Sequence, residues 1–202
     1  MEIRALSIQG SYEITPTVFP DDRGVFLESF RTDKLAEVIG HRLDIVQTNV
    51  SVSSRGTVRG VHFADLPPSQ AKYVTTLSGS FIDFVVDIRV GSPTFGQWDS
   101  VLLDTVDRRA IYLAEGLGHA ICSLEDNSTV MYLCSATYDP AREHGINPLD
   151  PELGLAMPAG FTPFLSARDA VAPSLSEAAA KGLLPRYDEC LSYYAELGAR
   201  AR

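Results

Sequence analysis

The sequence predicts a mainly β protein, an antiparallel sandwich or barrel with short peripheral and C-terminal helices. Three observations lead there. Short runs of alternating or continuous apolar residues recur through the middle of the 202-residue chain. Turn-forming residues separate them at close intervals. No helical pattern alternates with the runs, as a parallel sheet would require.

The elements are expected in the following order. Runs at 12–18 and 24–30 flank Asp22-Arg23-Gly24, a turn. Asp33 to Gly40 reads as a short helix stopped by its glycine. Runs at 44–52 and 57–63 are divided by Ser54-Arg55-Gly56, and Leu66-Pro67-Pro68 precedes the run at 70–77. After Ser78-Gly79, the stretch Phe81 to Val90 is wholly apolar at one parity and mixes charged with apolar residues at the other. Gly91-Ser92-Pro93 ends it, and runs follow at 98–104, 109–113, 119–124 and, past Glu125-Asp126-Asn127, at 128–137. The Pro-rich part from Asn147 to Pro163 reads as an ordered loop leaving the barrel. Ser174-Leu175-Ser176-Glu177 has capping-box spacing, with Ala178 to Leu184 continuing it until Pro185, and Asp188 to Leu197 reads as one more helix. A single domain spans 1–202, with the β core at about 12–145 and the loop and helices at about 146–202.

Composition narrows the function. With 45% apolar residues the chain can build a real core. A net charge of −9 argues against a nucleic-acid partner, which needs a broad basic surface, but leaves room for one nucleotide held by a few arginines. No run approaches the length of a membrane span and no signal pattern opens the chain, so a cytoplasmic protein is expected. Of the three cysteines, Cys122 and Cys134 lie in strand-like runs and Cys190 in a helical one, with no CxxC pair.

The chemistry-bearing residues are few. Arg59-Gly60-Val61-His62-Phe63 and Gln70-Ala71-Lys72-Tyr73 put an imidazole, a guanidinium and an ammonium on neighbouring runs. A histidine-containing barrel invites a metal, but the residue two after His62 is Ala64 and no glutamate follows within ten positions, so the first shell of a metal is poor. His62 and His119 are then acid/base candidates, set against the ordinary reading of a satisfied core histidine. Asp169, in Leu165-Ser166-Ala167-Arg168-Asp169, is a carboxylate that would fix the tautomer of His62 on contact. Lys72 among apolar neighbours is either an exposed strand residue or a buried cation. Tyr132 and Tyr138 share a parity, which on one strand would set both on one face, as core aromatics or as proton donors.

These residues fall in ordered blocks that resemble the dTDP-4-dehydrorhamnose 3,5-epimerase family over nearly the whole chain. The blocks are Asp22-Arg23-Gly24 with Glu28, Gln47-Thr48-Asn49, Arg59 to His62, Pro67 to Tyr73, Val86 to Arg89 with Gly91 to Gly96, Gly116 to His119, Tyr132 to Tyr138, Arg142-Glu143-His144 and Leu165 to Asp169. Val61 stands where leucine is commoner in the family, and Thr57-Val58 before the arginine is a second small departure. The resemblance implies a jelly-roll (cupin-type) fold that works as a homodimer without metal or other cofactor, on a dTDP-linked 4-keto-6-deoxy sugar. It implies His62 as the base held by Asp169, Tyr132 as the acid on the opposite face, Lys72 supporting the enolate oxygen and His119 lining the pocket. Arg23, Arg59 and Arg168 with Glu28, Gln47, Asn49 and Glu143 would bind the nucleotide diphosphate, Tyr138 would stack near the thymine, and Arg23 and Glu28 would reach in from the partner chain. Inversion at C3 and C5 is the expected reaction. Alternatives are a monofunctional 3- or 5-epimerase of an antibiotic-sugar pathway, a metal-dependent cupin enzyme and a non-catalytic sugar-nucleotide binder.

Overall fold

In a computed structural model, which describes residues 1–200, thirteen strands and four helices follow one another as β1 (Glu2–Ala5), β2 (Ser11–Thr15), β3 (Val18–Asp21), β4 (Gly24–Leu27), α1 (Thr32–Ile39), β5 (Gln47–Ser53), β6 (Val58–Ala64), β7 (Lys72–Ser78), β8 (Phe81–Val86), β9 (Trp98–Leu103), β10 (Ala110–Leu113), β11 (Gly118–Ser123), β12 (Ser128–Cys134), β13 (Glu143–Gly145), α2 (Ala167–Ala170), α3 (Leu175–Ala180) and α4 (Tyr187–Arg200). All sheet pairings are antiparallel. One sheet runs β1-β2-β10-β7-β12-β5, the other β13-β6-β11-β8-β9, and β3 with β4 forms a separate ribbon. Consecutive strands often lie in different sheets, which gives the mainly β, cupin-like jelly roll expected from the sequence.

Two apolar layers hold the sandwich together. Between the sheets, Val74, Ile111, Phe81, Val85 and Ile121 pack into one cluster. Outside the five-stranded sheet, Phe63, Phe84, Val86 and Ala120 pack against Ile146, Leu153, Leu155, Leu175 and Leu184 from the C-terminal third. The loop after residue 146 and α3 therefore form the cover of that sheet. Strand β8 is buried on both faces for this reason.

Local signals account for most element ends. Gly40 caps α1 at φ 84°, its N–H bonded to the Ala36 carbonyl. Ser174 and Glu177 close a capping box on α3. The strand runs are shorter than their apolar patterns: the run at 81–90 is strand only to Val86, and just past it the Asp87 carboxylate chelates the Arg89 guanidinium at 2.8 Å. The run at 128–137 ends at Cys134, so Tyr138 lies past the strand and does not share it with Tyr132, contrary to the parity argument. Strands β1 and β13 had no sequence signal, β1 lying mostly exposed and β13 having only three residues.

Candidate active site

A cavity of about 580 Å³ opens between the two sheets, and His62 and His119, alone of the four histidines, line it. The geometry begins with an irregularity in β6. His62 pairs with His119 and Arg59 with Ile121, so Gly60 and Val61 of β6 stand opposite Ala120 alone on β11. Without that extra residue, Arg59 and His62 would face opposite sides of the sheet. With it both face the interior, while Val58, Val61 and Phe63 turn to the outer apolar layer. Gly60 makes the bulge possible. Its φ is 127°, and a Cβ there would lie 2.6 Å from the Ala120 Cα.

His62 donates Nε2–H to Asp169 Oδ1 at 2.7 Å. The aspartate comes from α2, whose N-cap Ser166 accepts the Asp169 backbone N–H at 3.0 Å. Burial by itself would raise the Asp169 carboxyl, but the hydrogen bond and charge of His62 outweigh it and hold the group below the usual aspartate range. A carboxylate so placed keeps the proton of a neutral imidazole on Nε2 and leaves Nδ1 free to act as a base.

The opposite wall comes from the six-stranded sheet. In β7 and β12, Lys72 pairs with Cys134 and Tyr132 with Val74, so Lys72, Cys134 and Tyr132 all face inward. Lys72 is the first residue of its strand and only partly buried by area. Desolvation lowers its ammonium from the ordinary lysine value, with the charges of Glu143 and Asp83 acting in the other direction. Tyr132 is pushed up by burial and stays a protonated phenol, with its hydroxyl 3.5 Å from Ser51 Oγ. Its ring meets that of His119 edge to face, centroids 5.8 Å apart at 82°. His119 in turn has Nε2 2.9 Å from both oxygens of Asp83, a carboxylate with no exposed area.

Polar groups surround the mouth. Arg59 is steadied by Ser53 Oγ at 3.2 Å, and Arg168 by the Glu143 carbonyl at 2.8 Å. Gln47 donates to Asn49 at 2.8 Å and accepts the Tyr138 backbone N–H at 2.8 Å, which hangs the half-exposed Tyr138 ring at the rim. Of the residues singled out in the sequence, Arg23 and Glu28 alone stand apart. They belong to the β3–β4 ribbon and its exit, where Arg23 pairs with Asp21 at 2.6 Å and Glu28 with Arg31 at 3.0 Å. Among the described residues, no group of three or more His, Cys, Asp or Glu side chains is placed to hold a metal ion.

Sequence reasoning missed Asp83 and Cys134. The signal for Asp83 was present, as the charged member of the mixed parity in β8. That parity, Phe81-Asp83-Val85, faces the interior, and the wholly apolar one faces the C-terminal cover. Cys134 had no signal beyond its strand.

The cavity can thus offer a carboxylate-backed imidazole on one wall, a protonated phenol on the other and an ammonium near both, with arginines at the entrance. That suits proton transfer at a carbon of an anionic substrate. The family model described as dTDP-4-dehydrorhamnose 3,5-epimerase matches residues 5–177. The chain is 57% identical over 193 residues to the dTDP-4-dehydrorhamnose 3,5-epimerase of Mycolicibacterium smegmatis, covering 96% of this chain and 95% of that protein. It is 55% identical over 190 residues to the dTDP-4-dehydrorhamnose 3-epimerase of Streptomyces niveus, covering 94% and 91%. Among solved structures it is similar to ChmJ, a 3'-monoepimerase from Streptomyces bikiniensis in complex with dTDP-quinovose, at TM-score 0.95 and 45% identity over 97% of this chain and 99% of that one. With the match running through every strand that builds the cavity, the chain belongs to the dTDP-4-dehydrorhamnose 3,5-epimerase family and is an isomerase.

Proposed function

We propose that this epimerase inverts both C3 and C5 of dTDP-4-dehydro-6-deoxy-D-glucose, giving dTDP-4-dehydro-L-rhamnose, with His62 as base and Tyr132 as acid. The observation that carries the reading is the placement of His62 and Tyr132 on the two facing sheets, with Lys72 beside Tyr132. Inversion needs a proton removed from one face of the sugar and returned to the other, and two walls supply two faces.

The energetics assign the remaining groups. A proton next to a ketone is less acidic than an imidazolium by roughly 12 pK units, about 16 kcal/mol. A base alone cannot cross that gap. Cations and donors aimed at the developing enolate oxygen supply several kcal/mol in a water-poor site. Lys72 is the cation for that oxygen and His119 its neighbour. Because the substrate's own 4-keto group acidifies both C3 and C5, the reaction calls for no cofactor.

Arg59 and Arg168, with Gln47 and Asn49, hold the diphosphate, and Tyr138 packs on the thymine. Glu143 keeps Lys72 charged and steadies Arg168 through its backbone. Arg23 and Glu28 act across a homodimer. Two features support that assembly: β5 is an edge strand with outward Val50 and Val52 more than half exposed, and the separate β3–β4 ribbon exposes Phe19, Val25 and Phe26 to a similar degree. The site of action is the cytoplasm, where nucleotide-linked sugars are made.

The similarity to a 3-epimerase favours a second reading, inversion at C3 alone. Turnover in heavy water separates the two. Deuterium at both C3 and C5 of the product is expected; label confined to C3 throughout turnover would leave only the 3-epimerase reading standing.

A further inference from the structure

We propose that Asp83 is a positioning residue for this reaction, holding His119 and Lys72 as one charge-sharing group where the substrate's carbonyl oxygen turns negative. The proposal deepens the epimerase reading and rests on it for the identity of that oxygen.

The geometry is specific. Asp83 projects inward from β8 between Phe81 and Val85, with no exposed area. A lone carboxylate in such a row costs several kcal/mol and is retained only when partners compensate it. Its contact partner is His119, whose Nε2 is 2.9 Å from each carboxylate oxygen. That contact makes Nε2–H the donor and fixes the ring plane. The fixed ring is also the one that packs edge to face on Tyr132 and stands opposite His62 across the β6–β11 ladder. Asp83 therefore sits behind a residue that packs on Tyr132 and pairs with His62 across the ladder.

Its second partner is charge at longer range. Four elements turn titratable groups toward Lys72: Glu143 from β13, Cys134 and Tyr132 from β12, His119 from β11 and Asp83 from β8. Burial keeps the Cys134 thiol protonated, so it brings little charge. Glu143 lies at the cavity surface, where substrate and solvent reach it. Asp83 is beneath the floor and cannot be displaced, so its attraction persists when substrate fills the site. Burial raises the Asp83 carboxyl, and the charges of His119 and Lys72 oppose that rise.

The test is Asp83→Asn, which keeps the shape and removes the charge. At neutral pH kcat should fall by on the order of 10- to 100-fold, less than the loss of a direct oxyanion donor, with KM unchanged. The alkaline limb of the kcat profile should move down by about 1–2 pH units, as Lys72 loses a favourable charge. The chain has three lysines, Lys34, Lys72 and Lys181, so Lys72 can be followed directly by carbon-13 NMR of labelled lysine. Its midpoint should shift down with the limb. An unmoved limb and an unmoved lysine midpoint, with kcat lowered only in step with thermal stability, would overturn the proposal and leave Asp83 a packing residue. A second measurement needs no variant to fold: nitrogen-15 spectra of the unaltered protein should show His119 protonated on Nε2. A neutral His119 carrying its proton on Nδ1 overturns the proposal as well. If the unaltered protein fails to epimerise the dTDP-sugar, the functional reading falls, while both NMR results still decide whether Asp83 holds His119 and Lys72.

Discussion

His62 Nε2 and Asp169 Oδ1 lie 2.7 Å apart across 107 residues of chain. The contact ties a strand of the five-stranded sheet to a one-turn helix of the C-terminal cover, so the His62 ring is oriented by a part of the chain outside the sandwich. Within α2 the same aspartate is fixed by its backbone N–H on Ser166. The C-terminal third thus has two tasks, closing an apolar face and setting the tautomer of His62.

Asp169→Asn should separate orientation from stability. The amide can bond the same nitrogen with the wrong polarity, so kcat should fall by roughly 100-fold or more with dTDP binding retained. The folded Asp169 carboxyl is held below its ordinary value of 3.8. Its contribution to stability is therefore complete above about pH 4 and lost as pH falls through the lower folded value. Thermal melts of the native protein should lose more between pH 5 and pH 2 than those of Asp169→Asn. Parallel acid profiles would mean that the pair contributes nothing to folding.

Much of this was legible in the sequence, and what escaped it has physical reasons. Alternation and turn residues reveal strands because each strand carries its own signal, and α3 announced itself by its capping box. Pairing partners carry no such signal. That His62 faces the interior beside Arg59 depends on a bulge, which shifts parity without changing composition. Asp83 was visible as a charge in a strand, yet the usual rule would send the mixed parity to solvent. The rule fails because the interior of this sandwich is a cavity at one end and the outer face is covered by Leu153, Leu175 and their neighbours. Tyr138 was misplaced because apolar character continues past Cys134, where pairing stops.

Tyr132→Phe removes the phenol hydroxyl proposed as the acid and keeps the edge-to-face packing on His119. Inverted product should form at least about 100-fold more slowly. His62 would still abstract a proton and return one to the same face. Washout of a C3 deuterium from recovered starting material should therefore outlast inversion. Loss of both by the same factor would show that Tyr132 does more than donate, and survival of inversion would remove it as the acid.

Gly60→Ala tests the bulge. Its positive φ and the close approach of Ala120 leave no room for a methyl group. A loss of about 2 kcal/mol or more is expected, seen as a lower melting temperature. Since β6 can relieve the clash only by shifting relative to β11, the pairing of His62 with His119 should suffer too, and kcat should fall further than the melting temperature alone explains. Activity retained alongside a normal melting temperature would mean that the strands can part here without disturbing His62.

Arg23→Ala tests whether the nucleotide site is shared between two chains. Arg23 lies in the turn of an exposed ribbon, paired among the described residues with Asp21 alone and apart from the cavity of its own chain. If it meets a phosphate in the partner's cavity, its loss removes a charged hydrogen bond and should raise KM roughly 10- to 100-fold with kcat little changed. Mixing supplies the decisive arm. A mixed dimer of Arg23→Ala with His62→Ala chains contains one site with its own His62 and an intact Arg23 from the other chain. Activity at low substrate should reappear on mixing two preparations that are each nearly inactive there. If Arg23 served its own chain, no mixed site would be whole and mixing would restore nothing.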